Sequence, residues 1–204
     1  MKRCLIVLLA FALAGCRTTT VKTDNAGYKA GVAKVKITPL QMTWLSGYGG
    51  RSKPAQGVTA DLWARAVALR DANGKRIVVV SLEVLGLPNS MNQSIRAKAR
   101  KRFGLRDDQL MLVATHTHKG PVLPDRPSVE IMYGLNAEQK KRVVENAAWL
   151  EERILEVIGQ SLTDLVEDRG GDRPTGDDQQ GLAVAAIGHV QARVHVVSSG
   201  AARA

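Results

Sequence analysis

Between Val32 and Ile37 the chain alternates, with Ala33, Val35 and Ile37 on one side and Val32, Lys34 and Lys36 on the other. That period of two predicts a half-buried or edge strand, which Thr38-Pro39 ends. From Leu45 to Gly57 the pattern dissolves into Gly47, Gly49, Gly50, Pro54 and Gly57, too much backbone freedom for anything but a long loop. Two strand-like runs follow, Ala64 to Arg70 and Arg76 to Leu82. They flank Asp71-Ala72-Asn73-Gly74-Lys75, whose Asn-Gly supplies the positive φ of a tight turn, so the pair predicts an antiparallel hairpin. Ile77-Val78-Val79-Val80 is apolar on both faces, the pattern of a strand covered on both sides.

After Pro88 and Asn89, Ser90 stands where it can cap a helix running to about Phe103, with Gly104 as its stop. Leu110 to Ala114 is again of strand length, and strand, helix, strand implies a parallel pair with a right-handed crossover. The clearest period comes last. Asn136 and Gln139 have the spacing of a capping box, and Val143, Ala147, Leu150, Ile154 and Val157 recur at helical intervals. One long amphipathic helix to roughly Leu165 should pack on the sheet, its repeat being short for a coiled coil. The fold class expected is α/β, a mixed open sheet with a β-hairpin and a βαβ crossover.

Composition narrows the class. The 204 residues are 45% hydrophobic, 24% charged and 4% aromatic, which excludes collagen-like, wholly disordered and disulfide-scaffold chains. The formal net charge of +10 would ordinarily raise nucleic acid or an anionic membrane as partner. However, Arg96, Lys98, Arg100, Lys101 and Arg102 coat one predicted surface helix with only Phe103 beside them. They read as a solvated face, so no nucleic acid is expected as partner.

The amino terminus changes the picture further. Met1-Lys2-Arg3 precedes an uncharged run from Cys4 to Ala14, the layout of a signal peptide and too short for a permanent membrane span. Leu13-Ala14-Gly15-Cys16 resembles the bacterial lipobox, which implies lipidation at Cys16 and export to the cell envelope. Arg17 after the cysteine favours an outer-membrane lipoprotein in a Gram-negative host. Loss of Lys2 and Arg3 with the signal would lower the charge by two and leave no free thiol. Residues 1–15 are therefore read as signal peptide, 16–30 as lipidated cysteine and polar tether, 31–166 as the folded body and 167–204 as a tail.

Candidate chemistry sits at the end of the second parallel strand, in Thr115-His116-Thr117-His118-Lys119-Gly120-Pro121. Side chains two apart on an extended segment point the same way, and open α/β sheets place ligands beyond the carboxyl ends of their strands. Two imidazoles suit zinc, though a catalytic zinc usually takes three protein ligands. The plainer reading leaves one histidine capping the turn and the other in solvent.

The order Gly31-Val32-Ala33-Lys34-Val35-Lys36-Ile37-Thr38-Pro39, then Gly47-Tyr48-Gly49, then Ala64-Arg65-Ala66, then Val79-Val80-Ser81-Leu82-Glu83, then Ala114 to Pro121, resembles the amino-terminal part of the neutral/alkaline non-lysosomal ceramidases. The resemblance covers about Gly31 to Leu165 and implies a zinc-dependent hydrolase of the amide in N-acylsphingosines. It implies His116 as a zinc ligand, with His118 as the catalytic group beside the metal, orienting water or substrate. Glu83 is the one carboxylate placed near the histidines, where the family commonly has Asp, and reads as an acid supporting the site rather than ligating. A lipid or small amide substrate and an apolar slot for its acyl chain follow from the same resemblance.

There are departures. Lys119 stands where the family usually has Ser, and the family's remaining ligands fall in regions this sequence does not contain, so an incomplete domain is expected. From Asp168 onward there is no Lys, no aromatic and one Leu, the character of a degraded or out-of-frame end, in which His189 and His195 have no pattern to hold them. A truncated or frameshifted member is one expectation. A non-catalytic envelope lipoprotein retaining half the fold is the alternative, and a metal-dependent hydrolase of another amide or ester is a third.

Overall fold

The computed structural model describes residues 28–124 and 133–167. The signal segment, Cys16, and His189 and His195 lie outside the described residues. Alternation builds β1 (Lys29–Lys36), in which Ala33 and Val35 are buried and Lys34 and Lys36 exposed. The strand begins inside the segment read as tether, since Lys29 and Ala30 already pair. β2 (Trp63–Arg70) and β3 (Arg76–Leu82) form the expected hairpin in register Arg70↔Arg76. In its turn Gly74 alone takes positive φ, at 80°, while the Asp71 carboxylate accepts from the Lys75 amide at 2.7 Å.

Helix α1 (Asn89–Phe103) then crosses over to β4 (Leu110–Ala114), which pairs parallel with β3. The helix starts one residue before Ser90: Pro88 holds the cap position at φ −54°, without a side-chain cap. Its end is as expected, with Gly104 left-handed and its amide bonded to the Arg100 carbonyl. Helix α2 (Ala137–Thr163) opens on a reciprocal capping box between Asn136 and Gln139, each bond 2.9 Å. A final two-residue strand, β5 (Val166–Glu167), pairs with Lys29 and Ala30 at the boundary of the segment read as tail. The sheet order is β4-β3-β2-β1-β5, so the mixed open sheet is as expected.

Both helices lie over one face. Val143, Ala147, Leu150, Ile154 and Val157 are all buried; the last four pack with Val35, Val78, Val80 and Leu82 of the sheet, Ile37 just beyond β1, and Met91, Ile95 and Ala99 of α1. β2 offers only Ala64, Ala66 and Ala68 to this layer, which lets α2 approach closely. Closest of all is Gly31, where an added Cβ would lie 2.1 Å from the Ser161 carbonyl oxygen. Each wholly buried Leu or Ile here contributes about 1.5–3 kcal/mol.

The other face differs from expectation. Ile77 of β3 and Met111 and Val113 of β4 are 40%, 55% and 37% exposed, while Val79 and Ser81 are half-buried, so this face is only partly covered among the described residues. An apolar run is ambiguous between one covered face and two, and here Val78 and Val80 take the covered one. The cationic face of α1 is engaged by acids. Lys98 bonds Glu151 at 2.7 Å, Arg102 grips Glu152 through two bonds, and Arg100 meets Asp107. The Glu151 hydrogen bond raises the Lys98 ammonium above its usual range, and the Arg102 hydrogen bond lowers the Glu152 carboxyl.

Candidate functional site

β4 does not stop abruptly. Beyond Ala114 the Thr115 amide donates to the Leu82 carbonyl at 2.9 Å and the Thr117 amide to the Val84 carbonyl at 3.2 Å, so the chain stays beside the strand it paired with. Between these two contacts His116 adopts φ +62°, the one non-glycine in the left-handed region among the described residues. This corrects the extended geometry expected for 115–119. A left-handed residue redirects the backbone, at a cost of about 1–2 kcal/mol for an ordinary side chain. The two imidazoles nevertheless come together, their centroids 5.3 Å apart and their planes at 69°, edge to face.

A second segment closes against this turn. Leu45 bridges Pro121, the Ser46 amide donates to the Gly120 carbonyl at 3.0 Å, and the Val122 amide donates to the Trp44 carbonyl at 2.7 Å. Part of the glycine-rich stretch read as a loop is thus one arm of a short ribbon. Beneath it, Trp44, Val122, Tyr133, Leu135 and Val143 form a small apolar cluster of their own. Gly120 is needed where the ribbon crosses the sheet, since a Cβ there would lie 3.0 Å from the Val84 Cα.

His118 is half-buried in the ribbon and His116 exposed. The His118 Nδ1 is buried and has no hydrogen-bond partner. Tyr48 lies 4.6 Å from its ring, ring centre to ring centre, and Arg51 donates to its carbonyl oxygen at 2.9 Å. Glycine-tyrosine at 47–48 figured in the sequence pattern, but Arg51 and Tyr133 as neighbours of the site did not. Nothing periodic links Arg51 to a residue 67 positions on.

Glu83 is committed elsewhere. One carboxylate oxygen accepts from the Trp63 amide at 3.0 Å and the other meets Arg65 at 2.5 Å. It ties the ends of β2 and β3 together, directly behind the segment that runs beside β3. Among the described residues no three His, Cys, Asp or Glu side chains converge as a metal would require. The two imidazoles brought together therefore fit part of a zinc site, and a third donor is not among the described residues. A separate cleft of about 150 Å³ lies between residues 40–43 and α2, lined by Leu40, Met42, Trp149 and Asn146, and neither histidine borders it.

Comparison with known proteins converges on one family. Residues 28–127 match the family described as neutral/alkaline non-lysosomal ceramidase, N-terminal. The neutral ceramidase of Pseudomonas aeruginosa is 29% identical over 119 residues, covering 56% of this chain and 17% of that protein. That of Drosophila melanogaster is 27% identical over 101 residues, 48% of this chain and 14% of its own length. The crystal structure of the Pseudomonas aeruginosa neutral ceramidase superposes with a TM-score of 0.57 at 27% identity, over 71% of this chain and 23% of that one. A structure titled as ceramidase complexed with C2 gives 0.57 at 26% identity, over 69% of this chain and 22% of its own. The chain thus spans less than a quarter of the relatives it matches.

Proposed function

Since residues 28–127 belong to the neutral/alkaline non-lysosomal ceramidase family, we propose that this chain carries the amino-terminal share of a zinc-dependent amide hydrolase site acting on N-acylsphingosine-like lipids. The observation that carries the reading is the paired imidazoles at the end of β4, their centroids 5.3 Å apart. His116, open to solvent, would hold the ion. A bound zinc supplies a Lewis acid for the amide carbonyl and lowers the pKa of water to about 7. His118, fixed in the ribbon, would orient water or the amide against that centre. Glu83 acts at a distance, holding Trp63 and Arg65 so that the strand ends behind the histidines keep their register.

Zinc titration of the full chain tests this. Stoichiometric binding below micromolar, lost in His116→Ala, supports the site; a chain that takes up no zinc removes the hydrolase reading. A panel of N-acyl amides and simple esters separates a lipid amidase from a hydrolase of another amide or ester.

The lack of a third converging donor among the described residues favours a second reading, a non-catalytic envelope lipoprotein that keeps the fold. In both readings Cys16 would carry the lipid anchor and the body would sit in the cell envelope, with no nucleic acid as partner. Mass spectrometry of the mature amino terminus decides the anchor: a diacylglyceryl group on Cys16 is expected, and an unmodified Met1 or a cleaved, unlipidated chain would end that proposal.

A further inference from the structure

The orientation of His118 has a specific local origin. Gly47 sits against its ring: a Cβ at this position would lie 2.4 Å from Nδ1 and 2.6 Å from Cγ. The residue also takes φ +103°, a conformation that side chains other than hydrogen rarely adopt. Its backbone cannot drift away, because the Gly47 amide donates to the Tyr133 hydroxyl at 2.8 Å and Ser46 next to it is bonded to Gly120. On another side the Tyr48 ring meets the imidazole at 4.6 Å and 53°. Arg51 then closes the arrangement twice over, with its guanidinium 5.1 Å above the Tyr48 ring and its Nη2 bonded to the His118 carbonyl.

We infer that Gly47, Tyr48 and Arg51 form a latch whose task is to set the rotamer of His118, sealing Nδ1 beneath Gly47 and leaving Nε2 as the nitrogen that faces ligand. These are positioning residues. They act on substrate or metal only through the imidazole, and the functional weight of the latch rests on the reading of His118 given above. An exposed aromatic stack of this kind does little for stability. Tyr48 is 58% exposed, so its contact with His118 buries little area. What it supplies is direction, because a ring confined from two sides by an aromatic face and a glycine backbone has few χ1 and χ2 wells left. Arg51 removes the remaining freedom by tying the His118 backbone to the same aromatic.

The test uses the metal-free full chain and nuclear Overhauser contacts between the Tyr48 and His118 ring protons, so zinc binding and hydrolysis do not enter it. The wild-type chain and Tyr48→Phe are expected to show the contact. Arg51→Met should weaken it, and Gly47→Ala should abolish it by displacing the imidazole. Should Gly47→Ala fail to fold, Arg51→Met decides alone, since it leaves the Gly47 backbone untouched. Undiminished ring contacts in Arg51→Met, or in a folded Gly47→Ala, overturn the latch. A wild type that shows the ring contacts but binds no zinc refutes the hydrolase site and leaves the latch standing.

Discussion

Ile154 and His118 are both held from several sides, but by different forces. Ile154 is fully buried in a continuous layer of aliphatic side chains from two helices and the sheet, where attraction is non-directional and shared among many neighbours. His118 is half-buried and held by a handful of contacts, each with its own geometry: an aromatic face, a glycine backbone and one guanidinium. The layered half of the molecule is therefore sensitive to volume, and the ribbon half to direction. A change in the first should appear as lost stability; one in the second should appear as a misplaced ring on an intact fold.

The sharpest way to separate the halves is Ile154→Ala. It should cost about 2–5 kcal/mol, read from the urea midpoint, through lost burial and the cavity left behind. The folded fraction should keep the Tyr48–His118 ring contact; a variant that lost the contact with little loss of stability would erase the distinction. Gly31→Ala should follow at about 1–3 kcal/mol or more, because the new methyl would meet the Ser161 carbonyl and neither β1 nor α2 can yield. Gly86→Ala is the control: nothing lies within 4 Å of a Cβ there, and the change should stay within about 0.5 kcal/mol.

Asn136→Ala should cost about 1 kcal/mol by opening the capping box of α2, visible as a lower melting temperature with the ribbon contacts unchanged. The smallest effect concerns the ion pairs between α1 and α2. Glu152 is lowered below its ordinary 4.5, so its contribution is present above that pH and lost as pH falls through the folded value. Lys98 is raised above its ordinary 10.5, so its contribution is present below that pH and lost as pH rises through the folded value. The Arg102–Glu152 pair is exposed, whereas Glu151 opposite Lys98 is largely covered; Glu152→Gln should therefore flatten the acid limb of a stability profile by only a few tenths of a kcal/mol, less at high salt.

The same division decides how much of the molecule is legible in its sequence. α2, the hairpin and the parallel β3–β4 pair were legible because burial on one face writes its period into consecutive residues: Val143 to Val157 all turn inward as their spacing requires. Ser90 is not the cap because Asn89 is already helical, and Pro88, at φ −54° and ψ 143°, leads into the first turn without a side-chain acceptor. The partly open outer face of β3 was not legible, since Ile77 and Val78 look alike in sequence and differ only in what lies over them. The histidine pair was located but not its geometry. Its left-handed bend, the commitment of Glu83 to Arg65 and Trp63, and the contact between Gly47 and His118 all depend on distant residues without shared periodicity.

The backbone of His116 carries a last consequence. A left-handed residue is most comfortable as glycine or asparagine, so a library screened for thermal survival alone should enrich Gly or Asn at position 116. A library screened for zinc retention should deplete both. Opposite trends at one codon would show that this imidazole is kept for its nitrogen, against the preference of the peptide that bears it.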